Sequence, residues 1–272
     1  MISGYSRNGC GEEALRLFVE MINGGFSLTD RTFPSVLNAC GSSALIEKGK
    51  QVHNLVIKMG MERNMFAVSA LIDMYSKCSA IDKARQVFNE TTNKNSVAWT
   101  SMVTGYAYSG QGVDALTVFD NMIANGFTPD HISFTSVLVA CNHAGLFDRG
   151  IEYFDRMRDY GLQPELDQYA CLIDLSARNG KLIKAMEIME TMPYSPNAVI
   201  LTSFLRSCKV HGEVESGIEV AHRLFEMEPN NAAHYLTIAS IYSQSGLLSE
   251  AAKIRKLMSK KVIRRTGGWS WL

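Results

Sequence analysis

Proline is scarce in this chain, with six in 272 residues, so little stands in the way of continuous helix. Long apolar runs are missing. None nears the ~18 residues needed to span a bilayer, which excludes a membrane helix and leaves no membrane partner to expect. Paired cysteines are missing too. The six cysteines, at 10, 40, 78, 141, 171 and 208, include no C-x-x-C pair, which removes the common zinc and redox spacings. No secretory signal precedes them and the chain is not a small secreted scaffold, so reduced, buried thiols are expected. Excess charge is absent, because Lys+Arg and Asp+Glu both number 27. At face value this argues against a sticky, non-specific polyanion binder. With 46% hydrophobic and 20% charged residues, disorder is excluded, and the length suits one or two domains with a real core.

The zero net charge hides an asymmetry. Residues 251–272 hold seven basic groups (Lys253, Arg255, Lys256, Lys260, Lys261, Arg264 and Arg265) and no acidic one. Residues 1–250 therefore carry 20 basic and 27 acidic groups.

What is present is a repeat. Segments 9–21, 78–90, 110–122, 145–157 and 180–192 align. Each has Ala or Gly at its sixth or seventh place (Ala14, Ala84, Ala115, Gly150, Ala185) and a large apolar residue four further on (Phe18, Phe88, Phe119, Phe154, Met189). Met follows after three more in Met21, Met122, Met157 and Met192. Spacings of 3 and 4 make one apolar helix stripe, and the small residue admits a neighbouring helix. A second set also aligns: 32–40, 68–77, 99–108, 134–141, 169–178, 201–208 and 235–244, each a short amphipathic helix. Cys40, Cys141 and Cys208 fall in one phase, each ending such a helix. That recurrence fits core packing rather than a converging metal site.

One helix pair cannot bury its stripe alone. Stacked pairs share a continuous core, so the fold class is all-α, a right-handed superhelical α-solenoid of helix-turn-helix repeats, tetratricopeptide-like in its helices. Unit length alone, about 31–35 residues, does not separate tetratricopeptide from pentatricopeptide repeats.

The residues carry a resemblance. Phe134–Leu138, Ala70–Cys78, Trp99–Tyr106 and Ala115–Met122 followed by Gly126–Asp130 are similar to pentatricopeptide repeat (PPR) motifs. Successive units run 30–64, 65–95, 96–130, 131–165 and 166–197, with lengths of 35, 31, 35, 35 and 32. This resembles the PLS subclass of land plants, in the order L, S, P, L, S, after a partial P-type repeat at 1–29. Residues 198–231 resemble the E1 motif, and 232–272 the E2 motif with its basic tail. Met1 aligns inside a first helix, since Met1–Tyr5 matches Met102–Tyr106. That placement and the absence of a transit peptide from this chain give the expectation of a fragment that has lost N-terminal sequence.

The resemblance implies a sequence-specific factor for single-stranded organellar RNA that specifies C-to-U editing sites in mitochondrion or chloroplast. In the family one repeat reads one base through the fifth and last residues of the unit. Guanine's edge offers N1–H and N2–H₂ donors that an Asp can accept, and adenine offers an N6 donor and N1 acceptor that an Asn amide can match. Carried over, the pairs are Pro34 with Asn64, Ser69 with Asn95, Thr100 with Asp130, Thr135 with Glu165, and Ala170 with Asn197. Ser69–Asn95 implies adenine and Thr100–Asp130 guanine, giving 5′-AG. Pro34 and Ala170 have no side-chain hydrogen-bonding group, and Thr135–Glu165 has no clear code. A plainer reading stays beside this, in which the polar residues are first-turn or capping residues.

No catalytic residue, metal site or cofactor is assigned. His211-Gly212-Glu213 matches the H-x-E of cytidine deaminases by letter, but no C-x-x-C accompanies it. The DYW deaminase domain of longer relatives would lie beyond Leu272, so a DYW-type deaminase acting in trans and the multiple organellar editing factors are the implied partners. The tail residues Lys260, Lys261, Arg264 and Arg265 are either a solvated helix end or a phosphate contact. The alternatives are a tetratricopeptide-type protein-interaction scaffold, another organellar RNA-processing or stability factor, or an inert gene-model fragment.

Overall fold

The computed structural model describes residues 1–260, with the Lys260 side chain and everything beyond it left out. Among the described residues every regular element is helical. The helices alternate between a first and a second member of a hairpin. First helices, called A, are α1 (Ile2–Arg7), α3 (Thr32–Ser42), α5 (Met65–Lys77), α7 (Ser96–Tyr108), α9 (His131–Ala144), α11 (Leu166–Arg178), α13 (Ala198–His211) and α15 (Ala232–Gln244). Second helices, called B, are α2 (Gly11–Asn23), α4 (Ile46–Lys58), α6 (Ile81–Glu90), α8 (Gly112–Ala124), α10 (Phe147–Arg156), α12 (Leu182–Thr191), α14 (Val214–Met227) and α16 (Leu248–Lys260). A short 3₁₀ turn, Met157–Tyr160, extends α10. The chain divides into two compact units, Met1–Gln163 and Pro164 onward.

Within each unit one rule governs packing. An A helix lies against the next A helix, as in α3 on α5 and α7 on α9, or α11 on α13. A B helix packs on its own A helix and on the A helix that follows, as α8 does on α7 and α9. The repeating stripe supplies the contacts. Ala14, Ala84, Ala115 and Ala185 are completely buried, and Gly150 is buried in α10. The large residues one turn on are buried with them, and Phe119 meets Phe134 at 5.2 Å and Tyr153 at 5.3 Å, edge to face. Each such side chain contributes roughly 1.5–3 kcal/mol by leaving water. Met122, Met157 and Met192 join the core, whereas Met21 is only half-buried.

The hairpin turns are the same eight times over. The residue just before each B helix cap takes a left-handed conformation, which is free of steric cost only for Gly. Gly stands there in six hairpins, but Ala44 (φ 53°) and Ser79 (φ 58°) occupy it in the other two. Short units have short B helices: α6 and α12 hold 10 residues where α8 holds 13. After α12, Pro193 forces Met192 into extended backbone (ψ 146°) and ends the helix.

Two expectations need correction. The cysteines are free, but only Cys40, Cys141 and Cys208 are buried, while Cys10, Cys78 and Cys171 are half-buried. Nor do the three in phase end their helices, which run on to Ser42, Ala144 and His211. The residues past each cysteine are mostly exposed, and the helix runs on until the left-handed turn at Ala44, Gly145 or Gly212 breaks it. Burial pushes the Cys40 thiol up to about 11 and those of Cys141 and Cys208 up to about 12, which suppresses reactive thiolate.

Candidate nucleic-acid interface

The residues closing the units share one structural position, the N-cap of the next A helix. Asn64 Oδ1 accepts from the N–H groups of Phe66 (3.0 Å) and Ala67 (3.1 Å). Asn95 Oδ1 accepts from Ala98 N (2.8 Å), Asp130 Oδ1 from Ser133 N (2.8 Å), and Asn197 Oδ1 from Ile200 N (3.0 Å). Glu165 forms a capping box with Gln168, whose Oε1 accepts from Glu165 N at 2.8 Å. Capping and base contact are compatible. The cap uses one side-chain atom, and the other can face outward.

The fifth residues lie one turn into the same helices. Ser69, in α5, is nearly buried, and its one hydroxyl proton is shared between Met65 O (2.8 Å) and Asn95 Oδ1 (3.1 Å). The two residues expected to act together therefore touch. Thr100 and Asp130 are joined through an intermediary. Thr100 Oγ1 lies 2.9 Å from Ser133 Oγ, which lies 2.6 Å from Asp130 Oδ1. Pro34 and Asn64 are not joined; Asn64 Nδ2 donates instead to Asp30 at 3.2 Å. Pro34 sits third in α3, where its missing N–H costs nothing. Ala170 and Asn197 make no side-chain bond to each other, since Ala170 has no polar side-chain atom. Thr135 belongs to the first compact unit and Glu165 to the second; the Thr135 hydroxyl donates to His131 O at 2.8 Å.

Sequence reasoning missed three features of this face. The second residues of the repeats are exposed apolar side chains (Phe66, Val97, Ile132 and Val199) beside the caps. They become visible only when the helix starts are known, and they suit contact with base faces. Further along the same A-helix face sit ion pairs: Lys77 with Asp73 at 2.7 Å, and Arg178 with Asp174 at 3.0 Å. Their cations are half exposed. The third feature is Ser133, fully buried between the two residues it links.

The tail residues Lys261, Arg264 and Arg265, and the Lys260 side chain, lie outside the described residues. The H-x-E letters are placed plainly. His211 ends α13 with Nε2 3.2 Å from Arg178 O, and Glu213 is the N-cap of α14. Among the described residues no cluster of His, Cys, Asp or Glu could hold a metal ion, and no helix is long and apolar enough to cross a membrane.

These features define a tandem helical-hairpin repeat protein with polar caps at the starts of its A helices. The family model described as "PPR repeat" matches residues 1–26, 66–95 and 132–162. "PPR repeat family" matches 94–143, "Pentatricopeptide repeat domain" 152–195, and "E motif" 211–272. The chain belongs to the pentatricopeptide repeat family and carries the PLS-type pattern with an E motif. A pentatricopeptide repeat-containing protein of Arabidopsis thaliana, named as mitochondrial, is 40% identical over 272 residues, covering 99% of this chain and 42% of the relative. Another from the same plant, DOT4, named as chloroplastic, is 36% identical over 274 residues, covering all of this chain and 32% of its own length. The chain thus spans well under half the length of these relatives. The fold matches that of the pentatricopeptide repeat protein PPR10 in its complex with an 18-nt psaJ RNA element, with a TM-score of 0.82 at 22% identity over 98% of this chain and 40% of that one.

Proposed function

We propose that this chain binds single-stranded organellar RNA one base per repeat and specifies sites of C-to-U editing. The deaminase, of DYW type, and multiple organellar editing factors come in trans. The observation that carries the reading is the meeting of fifth and last residues, direct in Ser69–Asn95 and through Ser133 in Thr100–Asp130. A peptide-binding scaffold has no reason to hold these pairs together at successive helix starts. The exposed apolar residues beside them supply faces for bases, and Lys77 and Arg178 supply cations for phosphate. The names of the relatives support mitochondrion or chloroplast as the compartment.

Selection by the full chain from a randomised single-stranded RNA pool tests the binding. Enrichment of 5′-AG is the expected result, and retention without base preference would overturn the reading. The editing role is tested by sequencing organellar transcripts with and without the gene. Loss of conversion at one cytidine downstream of an AG is expected.

A further inference from the structure

The hydroxyl protons around Asp130 can be counted. A carboxylate only accepts, and a serine hydroxyl has one proton and two lone pairs. Ser133 Oγ is 2.6 Å from Asp130 Oδ1 and 2.9 Å from Thr100 Oγ1. Asp130 has no proton to give across that short contact, so Ser133 donates to it. Asp130 N donates to one Ser133 lone pair at 3.3 Å. The Thr100 hydroxyl must then donate to the other. Protons run one way, from Thr100 to Ser133 to Asp130. What Thr100 and Asp130 leave for a ligand is oxygen lone pairs only: those of Thr100 Oγ1 and those of Asp130 Oδ2.

The preceding pair differs because the residue in Ser133's place is Ala98. Here Asn95 Oδ1 is held by the Ala98 N–H at 2.8 Å, which turns the amide NH₂ outward. Ser69 shares its one hydroxyl proton inward between Met65 O and Asn95 Oδ1. This site offers a lone pair on Ser69 and donors on Asn95.

We infer that Ser133 is a specificity-determining positioning residue: its buried hydroxyl polarises Thr100 and Asp130 into an acceptor-only site, selecting the donor edge of guanine over the mixed edge of adenine. The inference rests on the RNA reading above and adds a third position to it, the third residue of the following repeat. Ser133 touches no base and acts through its two neighbours.

The test is Ser133→Ala in the full chain. The substitution keeps the backbone N–H that the Asp130 carboxylate caps, and Ala already serves at the matching position 98. Single-stranded RNAs enriched from the random pool are titrated with guanine or adenine at the base facing Asp130, and with either purine at the base facing Asn95. With one bidentate pair setting about tenfold discrimination, the guanine preference at Asp130 should fall at least about threefold, with the preference at Asn95 unchanged. An unaltered preference at Asp130 would overturn the inference, and so would an equal loss at both bases, which would mark Ser133 as merely structural. If the unsubstituted chain discriminates at neither base, the RNA reading itself falls first.

Discussion

Ser69 Oγ and Asn95 Oδ1 lie 3.1 Å apart although 26 residues separate them in sequence. The contact joins the fifth position of one repeat to the cap of the next A helix, so two adjacent hairpins build the position that the proposed reading assigns to one base. On that reading, base preference is a property of the junction between repeats.

The Asp130 side chain offers the simplest exchange of preference. Asp130→Asn keeps an oxygen for the Ser133 N–H and turns an NH₂ outward, as in Asn95. Purine preference at that base should move from guanine toward adenine by roughly tenfold, on the scale of one bidentate pair. Equilibrium titration with the two oligonucleotides checks it, and an unmoved preference would refute the assignment.

Close helix approach sets a second expectation. A Cβ on Gly112, at the start of α8, would meet Ala140 O and the Ala144 methyl, both at 2.8 Å. Because one contact is backbone and the other a methyl, neither can swing aside. Gly112→Ala should cost about 1–3 kcal/mol, seen as a lower denaturation midpoint with unchanged slope.

The left-handed turn gives an opposite sign. Ser79 holds φ 58° in the position where six other hairpins have Gly. A side chain there costs about 1–2 kcal/mol, partly offset by the entropy Gly loses on folding. Ser79→Gly should raise stability by up to about 1 kcal/mol, and Ala44→Gly by a similar amount. A fall in melting temperature for both would show that the turn is relaxed.

Stability should also respond to acid through His53. Its Nδ1 lies 2.9 Å from Tyr75 Oη, and burial holds its pKa below the ordinary histidine value. The unfolded chain then binds the proton more readily, so stability is full above the unfolded pKa near 6.5 and declines as pH falls through it toward the lowered folded value. His53→Gln should flatten that part of the pH–stability curve. An identical slope in both proteins would assign the acid sensitivity elsewhere.

Much of the architecture was legible in the residues. The Ala14, Ala84, Ala115 and Ala185 phase predicted the inner stripe, because a period-matched small residue has few uses besides close helix packing. The candidate residues were legible through resemblance alone, since nothing local distinguishes Thr100 from any first-turn threonine. Cys10, Cys78 and Cys171 went astray because a residue's apolar character does not say which side of a helix its neighbours cover. The exposed side chains Phe66, Val97, Ile132 and Val199 carry no signal in the sequence until the helix starts are placed.

The sequence by itself determined the helical hairpin, its repetition and its family, because these follow from local periodicity and turn chemistry. Only the tertiary structure decided how the polar residues combine. Ser69 with Asn95, and Thr100 with Asp130 through Ser133, are contacts across the junction of two hairpins, set by how one A helix seats on the next. Proton direction at Asp130 depends on a chain of three oxygens, Thr100 to Ser133 to Asp130, each within hydrogen-bond range of the next, and no spacing along the chain encodes that proximity.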